Sequence, residues 1–267
     1  EHAVTRAFEG DVDLNDVAAG DGYLFVRDGV GFAARGVAAR IPAQRIADVL
    51  DAMDVDDPIG LPGTGPVAFG VKPFRPGAPW DLVIPRVIVG KGADGSRWIT
   101  RIDDAQEQLV VAPRPTAVAS RYTITPGVDP EHYLAAVASV RDAIRAGRLH
   151  KAVIARDVVV ESDRPIDVHA TLLRLRASFG SSYRFSMDGF VGASPELLVA
   201  RRDEVVRSHP LAGTAPRVGD PETDARLAAE LLSSTKNQIE HRVVIDMVHE
   251  TLLPYCSYLD WEPEPSI

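Results

Sequence analysis

The sequence predicts an α+β fold, with antiparallel strands joined in hairpins and helices set apart from them. Two observations carry this expectation. Asp-Gly pairs at Asp28-Gly29, Asp94-Gly95 and Asp188-Gly189 separate apolar runs of strand character, the pattern of a two-residue hairpin. Helical periodicity begins instead at Asp or Asp-Pro caps and stops at Gly or Pro. Adjacent hairpins imply antiparallel pairing, so a doubly wound parallel sheet is not expected.

Taken in order, GYLFVRDGVGFAAR (22–35) reads as the first hairpin, turning at Asp28-Gly29. Ile46, Val49, Leu50 and Met53 recur at helical spacing after Pro42. LPGTGP (61–66) is Gly-rich but lacks the Lys-Ser/Thr of a phosphate loop and reads as a plain turn. WDLVIPRVIVGKGADGSRWITRI (80–102) repeats the hairpin pattern around Asp94-Gly95. The Pro-rich stretch 112–130 marks a boundary inside a single domain, between a hairpin-rich portion (1–120) and a motif-bearing portion (129–267).

Beyond the boundary, Asp129-Pro130 caps a helix with Leu134, Val137, Val140 and Ile144 as its buried stripe and Gly147 at its end. KAVIARDVVV (151–160) reads as a strand. A second helix is capped by Asp167, with Val168, Leu172, Leu175 and Phe179 inward. Tyr183–Asp188 and Phe190–Ala193 form a hairpin, and Leu197–Arg201 and Val205–Arg207 are expected to extend its sheet. A third helix starts at Asp220-Pro221, and a fourth runs from about Gln238 to Leu253, stopping at Pro254.

Composition narrows the function. The chain has 267 residues, 45% apolar and 25% charged, as in an ordinary globular protein. Its net charge is −9 with basic residues scattered, which argues against a nucleic-acid or anionic-membrane partner. The single cysteine, Cys256, permits neither an internal disulfide nor a cysteine zinc site. No apolar run approaches the ~18 residues of a membrane span, and no signal-peptide pattern is present. A cytoplasmic monomer acting on a small molecule is expected. The chain starts at Glu1 without Met and stops at Ile267 after WEPEPS, which reads as the lead-in to another element. Further C-terminal residues are therefore expected.

Two side chains stand out. Lys151 opens its apolar run, and Glu196 follows Ser194-Pro195 between two apolar stretches. Alone, each is an ordinary surface charge at a strand end. Glu240, His241, Asp246, His249 and Glu250 share one helix, where a solvated polar face explains them. The spacing of Glu240 and His249 does not put them on one face, and no HExxH or GxSxG motif appears.

Four runs in series change that weighing: KAVIAR (151–156), FVGASPELLVAR (190–201), SHPLAGTAPR (208–217) and SSTKNQIEHRVVIDMV (233–248). In this order the sequence resembles the chorismate-utilising enzymes from about Asp129 onward, and within them the isochorismate synthases. The resemblance implies a layered α/β/β/α fold with large antiparallel sheets. It implies that Lys151 is the general base activating water for attack at C2 of chorismate, and that Glu196 is the general acid protonating the departing C4 hydroxyl. It makes Glu240 a ligand of Mg²⁺, which holds a substrate carboxylate, and sets Gly213 and Thr214 in the turn lining the substrate pocket. The product would feed menaquinone or siderophore synthesis.

These residue types suit that chemistry. Water is a poor nucleophile and hydroxide a poor leaving group, so base and acid must act together. Lysine serves as base only when neutral, which desolvation or nearby positive charge favours. Glutamic acid keeps its proton more easily when buried. Mg²⁺ suits carboxylate oxygens and water, and neutralises a dianionic substrate.

Aminating relatives typically carry Gln where Lys151 stands, and aminodeoxychorismate synthases tend to have Lys at the position of Ala212, so both positions point away from amination. Salicylate synthases share the lysine and stand as the alternative, with a non-catalytic chorismate-binding relative as a third reading. Asn237 departs from the Glu or Asp often found there. The second Mg²⁺ glutamate and a carboxylate-binding arginine are expected beyond Ile267.

Overall fold

In a computed structural model, which describes residues 2–103, 111–116, 118–262 and 264–267, tight turns set the layout of the first hundred residues. The elements there are β1 (His2–Ala7), α1 (Leu14–Ala18), β2 (Tyr23–Arg27), β3 (Val30–Arg35), β4 (Ala39–Pro42), α2 (Ile46–Asp51), β5 (Asp54–Asp56), β6 (Phe69–Gly70), β7 (Asp81–Ile84), β8 (Val87–Lys91) and β9 (Arg97–Ile102). The β2–β3 turn is as predicted. Asp28 and Gly29 have φ of 52° and 78°, and Arg27 pairs with Val30 across them.

The 80–102 stretch differs from its prediction in two ways. Pro85 has no N–H to donate, and the chain changes sheet there. β7 pairs with β4 and β6, whereas β8 joins the larger sheet. The β8–β9 turn is also longer than two residues, because Lys91 pairs with Arg97. Asp94 caps that loop, its Oδ1 accepting from the Ser96 amide at 2.9 Å, and Gly95 takes φ of 85°.

The chain continues with β10 (Tyr122–Pro126), α3 (Pro130–Arg145), β11 (Val158–Ser162), α4 (Val168–Ser178), β12 (Tyr183–Met187), β13 (Phe190–Ser194), β14 (Leu197–Arg202), β15 (Val205–His209), α5 (Pro221–Ser233) and α6 (Thr235–Leu252). It folds as two compact units. The first comprises residues 1–118 and 166–195, and the second comprises 119–165 and 196–267. Among the described residues no helix is long and apolar enough to cross a membrane.

The first unit is built on an eight-stranded sheet in the order β13-β12-β2-β3-β8-β9-β1-β5, antiparallel except where β1 meets β5. Helices α1 and α4 supply Leu14, Val17 and Leu172 to a core with Leu24, Val26 and Val89. A second cluster gathers Tyr23, Phe69, Val83 and Ile88, and a third seats Ile46, Val49 and Leu50 of α2 against Ile84 and Ile102. Leu172 is fully buried as predicted, but Phe179 is 53% exposed, because the helix ends at Ser178 and Phe179 is its cap.

Asp188, in the β12–β13 turn, ties that hairpin to β2 and β4. Its carboxylate accepts two bonds from the Arg40 guanidinium, at 2.9 and 3.1 Å, and one from the Tyr23 hydroxyl at 3.1 Å. The Arg40 bonds hold its pKa below the ordinary carboxylate range against a smaller opposing effect of burial. A carboxylate whose pKa is depressed by folding stabilises the fold above its unfolded pKa of about 4, and that stability is lost as pH falls through the lower folded value. Asp188→Asn keeps a residue that tolerates the positive φ of 49°. The melting temperature of the wild type should therefore fall more between pH 5 and pH 3 than that of the variant; parallel curves would refute this.

The second unit holds two separate antiparallel pairs, β10 with β11, which are joined through α3, and the β14–β15 hairpin, together with α5 and α6. Four sequence expectations need correction here. The strand expected at Lys151 begins at Val158, and residues 151–157 are irregular. β14 and β15 pair only with each other among the described residues and do not extend the large sheet. Helix α6 starts at Thr235, because Ser234 caps it by accepting from the Asn237 amide. The α3 stripe is not buried, with Leu134 63% exposed. Periodicity correctly identified α3 as amphipathic, but periodicity does not supply the surface that covers it.

Candidate functional site

All five residues singled out above, Lys151, Glu196, Gly213, Thr214 and Glu240, lie in the second unit. Antiparallel pairing places the first of the contacts that link them. β14 and β15 are in register with Leu197 opposite His209, so the residues just outside that pair meet beyond the end of the ladder. There the Leu211 amide donates to Glu196 Oε1 at 3.1 Å. The hairpin is held a step further in by the Ser208 hydroxyl, which donates to the Leu198 carbonyl at 2.7 Å.

The chain after Leu211 turns at Gly213, with φ of 86°. A Cβ on Gly213 would stand 3.2 Å from Leu231 Cδ1 and 3.4 Å from Asn237 Cβ. The Gly213 turn is thus packed into the corner where α5 runs into α6. Gly213→Ala should destabilise this corner by about 1–2 kcal/mol, from the left-handed backbone alone. Hydrogen exchange at the Leu211–Thr214 amides would show it, and unchanged protection would argue against the close packing.

Helix α6 carries the site onward. Asn237 and Glu240 are three residues apart and share a face. Glu240 Oε1 lies 3.2 Å from Lys236 Nζ, a pair one turn apart. Lys151 arrives on the irregular segment after α3, which ends near Gly147 at φ of 70°. Its Nζ donates to the backbone carbonyl of Glu240 at 3.3 Å. Lys151 and Glu240 are therefore in direct contact, Glu196 is tied to the Leu211–Thr214 turn, and that turn rests on α6 one helical step from Glu240.

These contacts bring Lys151 to the main chain of α6 at Glu240, and Glu196 to the turn that packs against α6 at Asn237. Among the described residues no group of three or more His, Cys, Asp or Glu side chains is positioned to hold a metal ion. Lys151 meets the main-chain carbonyl of Glu240, whereas the Glu240 carboxylate pairs with Lys236. A single carboxylate fits Mg²⁺, which keeps several waters and completes its shell with substrate oxygens, better than it fits Ca²⁺ or Zn²⁺.

The unit also contains a cavity of about 500 Å³, lined by none of these five residues. Leu197, Val206, His209, His241, His249 and Trp261 are among its walls. His241 Nδ1 is buried there without a hydrogen-bond partner among the described residues. Sequence reasoning treated His241 as part of a solvated face. Its position directly after Glu240 could have signalled otherwise, since adjacent helix residues point about 100° apart.

Residues 81–267 match the model of a family described as chorismate binding enzyme. Among curated proteins, isochorismate synthase DhbC of Bacillus subtilis is 34% identical over 213 residues, covering 76% of this chain and 50% of that protein. Anthranilate synthase component 1 of Halobacterium salinarum is 36% identical over 146 residues, covering 53% of this chain and 27% of that protein. The solved structure of the menaquinone-specific isochorismate synthase MenF from Escherichia coli superposes with a TM-score of 0.73 at 21% identity, over 94% of this chain and 63% of that one, and shows the same fold. The chain spans about half the length of the curated relatives it matches first.

Proposed function

Since the chain belongs to the chorismate binding enzyme family, we propose that the protein containing it converts chorismate to isochorismate. Lys151 takes a proton from water as the water oxygen bonds to C2. The ring double bonds shift, and the C4–O bond breaks as Glu196 gives its proton to the departing hydroxyl. One water enters and one leaves, and the two side chains exchange protons before the next turnover. Both proton transfers avoid a free hydroxide, which is what makes the paired groups effective.

The observation that carries this reading is the contact of Lys151 with the Glu240 backbone, alongside Glu196 anchored on the Leu211–Thr214 turn. Glu240 would contribute to a Mg²⁺ site, and the ion would supply charge neutralisation at a substrate carboxylate. Gly213 lets the turn pack closely against Leu231 and Asn237, and we take that turn, with Thr214, as a wall of the substrate site. We assign the reaction to a cytoplasmic monomer supplying menaquinone or siderophore synthesis.

The deciding experiment incubates the whole protein with chorismate and Mg²⁺ and resolves the products by chromatography. Isochorismate is expected. Salicylate with free pyruvate would replace this reading by salicylate synthesis, and chorismate binding without turnover would replace it by a non-catalytic role.

A further inference from the structure

Lys236 stands where helix energetics disfavour a lysine. The first turn of a helix presents unpaired N–H groups and the positive end of the dipole, so acids stabilise it and cations oppose it. Helices α3 and α5 follow that rule, with Glu131 in one first turn and Glu222 and Asp224 in the other. Helix α6 breaks it. Lys236 is its second residue, and its first turn holds no acid.

Its partner does little to offset this. Lys236 Nζ lies 3.2 Å from Glu240 Oε1, with the lysine N-terminal to the glutamate, the weaker order for a pair one turn apart. Solvated pairs of this kind add little to stability. The pair is also lopsided: the lysine side chain is 80% exposed and the glutamate side chain 32%. In the Arg242–Asp246 pair further along the same helix the two side chains are 58% and 50% exposed. Lys236 can therefore swing into water with almost no loss of packing, while Glu240 stays where its surroundings hold it. A lysine badly placed for its helix and weakly held by its partner sits on the very carboxylate assigned to the metal.

We infer that Lys236 is a resident counter-ion of Glu240 that gives way to Mg²⁺, and that it thereby sets how tightly the protein holds the ion. The inference deepens the reading above and rests on the assignment of Glu240 to the metal. Without the ion, the ammonium neutralises the carboxylate. An ammonium and a divalent cation on one carboxylate repel each other, so Lys236 turns out to solvent as the ion arrives. Metal affinity is lowered by the pair that must break and by the repulsion that remains.

Titration calorimetry of the whole protein with Mg²⁺, in the absence of chorismate, tests it. Lys236→Met should bind the ion about 3- to 10-fold more tightly than the wild type. Lys236→Arg keeps the charge and should stay within about 2-fold of the wild type. Arg242→Met removes one positive charge from the same helix and should also stay within about 2-fold. Glu240→Gln should weaken binding by about 10-fold or more. Unchanged affinity in Lys236→Met alongside the loss in Glu240→Gln would overturn the inference and leave Glu240 as a ligand. Weaker binding in Lys236→Met would overturn it too, since the lysine would then be arranging the carboxylate for the ion. So would an equal gain in Lys236→Arg or Arg242→Met, because the gain would not come from freeing Glu240 of the charge beside it. No measurable Mg²⁺ binding in any of these proteins, or equal binding in Glu240→Gln and the wild type, would remove Glu240 from the metal and this inference with it.

Discussion

Lys151→Ala is expected to lower kcat for isochorismate formation by the whole protein about 10²- to 10⁴-fold, the usual contribution of a positioned general base. The lysine meets the Glu240 carbonyl at 3.3 Å, so its removal also releases one tie to helix α6. A loss of activity by itself would therefore not separate proton transfer from positioning. Lys151→Gln does, because its carboxamide N–H can still donate to that carbonyl while its nitrogen accepts no proton near neutral pH. Both variants should lose activity to a similar degree, and added small amines should restore part of it in Lys151→Ala. Retention of kcat within about 3-fold in Lys151→Gln would remove the lysine from the base role.

The first unit was legible in the sequence because its signals are local. Asp28-Gly29 and Asp188-Gly189 fix two-residue turns through backbone angles that few other residues tolerate. Asp167 caps α4 with its own side chain, as Asp129 and Asp220 cap α3 and α5 of the second unit. Pro85 was visible but misread. A hairpin pattern tolerates a proline at a strand end, and only the tertiary pairing tells that β7 leaves for another sheet.

The second unit was legible in pattern but not in packing. Leu134 and Val137 of α3 and the valines of β11 follow core periodicity, yet they are exposed because burial depends on partners distant in sequence. Lys151 was read as a strand residue for the same reason. An apolar run after a Gly stop reads as extended, but a ladder needs a neighbouring edge, and the pairing starts at Val158. The site residues were legible only as four motifs in order. Spacing could not reveal that Glu196 meets the Leu211 amide, since that contact follows from the β14–β15 register. The His241 ring was misjudged because a helical wheel of mixed charge and apolar residues does not tell which polar side chain turns inward.

Glu196→Gln is expected to lower kcat about 10²- to 10⁴-fold while leaving KM for chorismate within about 3-fold. Glutamine has the same length and keeps an oxygen for the Leu211 N–H, which reaches Glu196 at 3.1 Å. The β14–β15 end and the Leu211–Thr214 turn should therefore stay in place, and the substrate should still bind. What the amide lacks is a proton to give. The C4 hydroxyl must leave as water, because hydroxide is too basic to depart unaided, and so the loss falls on the bond-breaking step. A chorismate analogue with a weakly basic leaving group at C4 does not need that proton. It should restore turnover in Glu196→Gln and fail to restore it in Lys151→Ala, where the attacking water is still unassisted. Rescue of both variants by this analogue, or of neither, would break the division of labour between acid and base. Unchanged kcat in Glu196→Gln with chorismate would remove Glu196 from the reaction and leave it as the anchor of the turn alone.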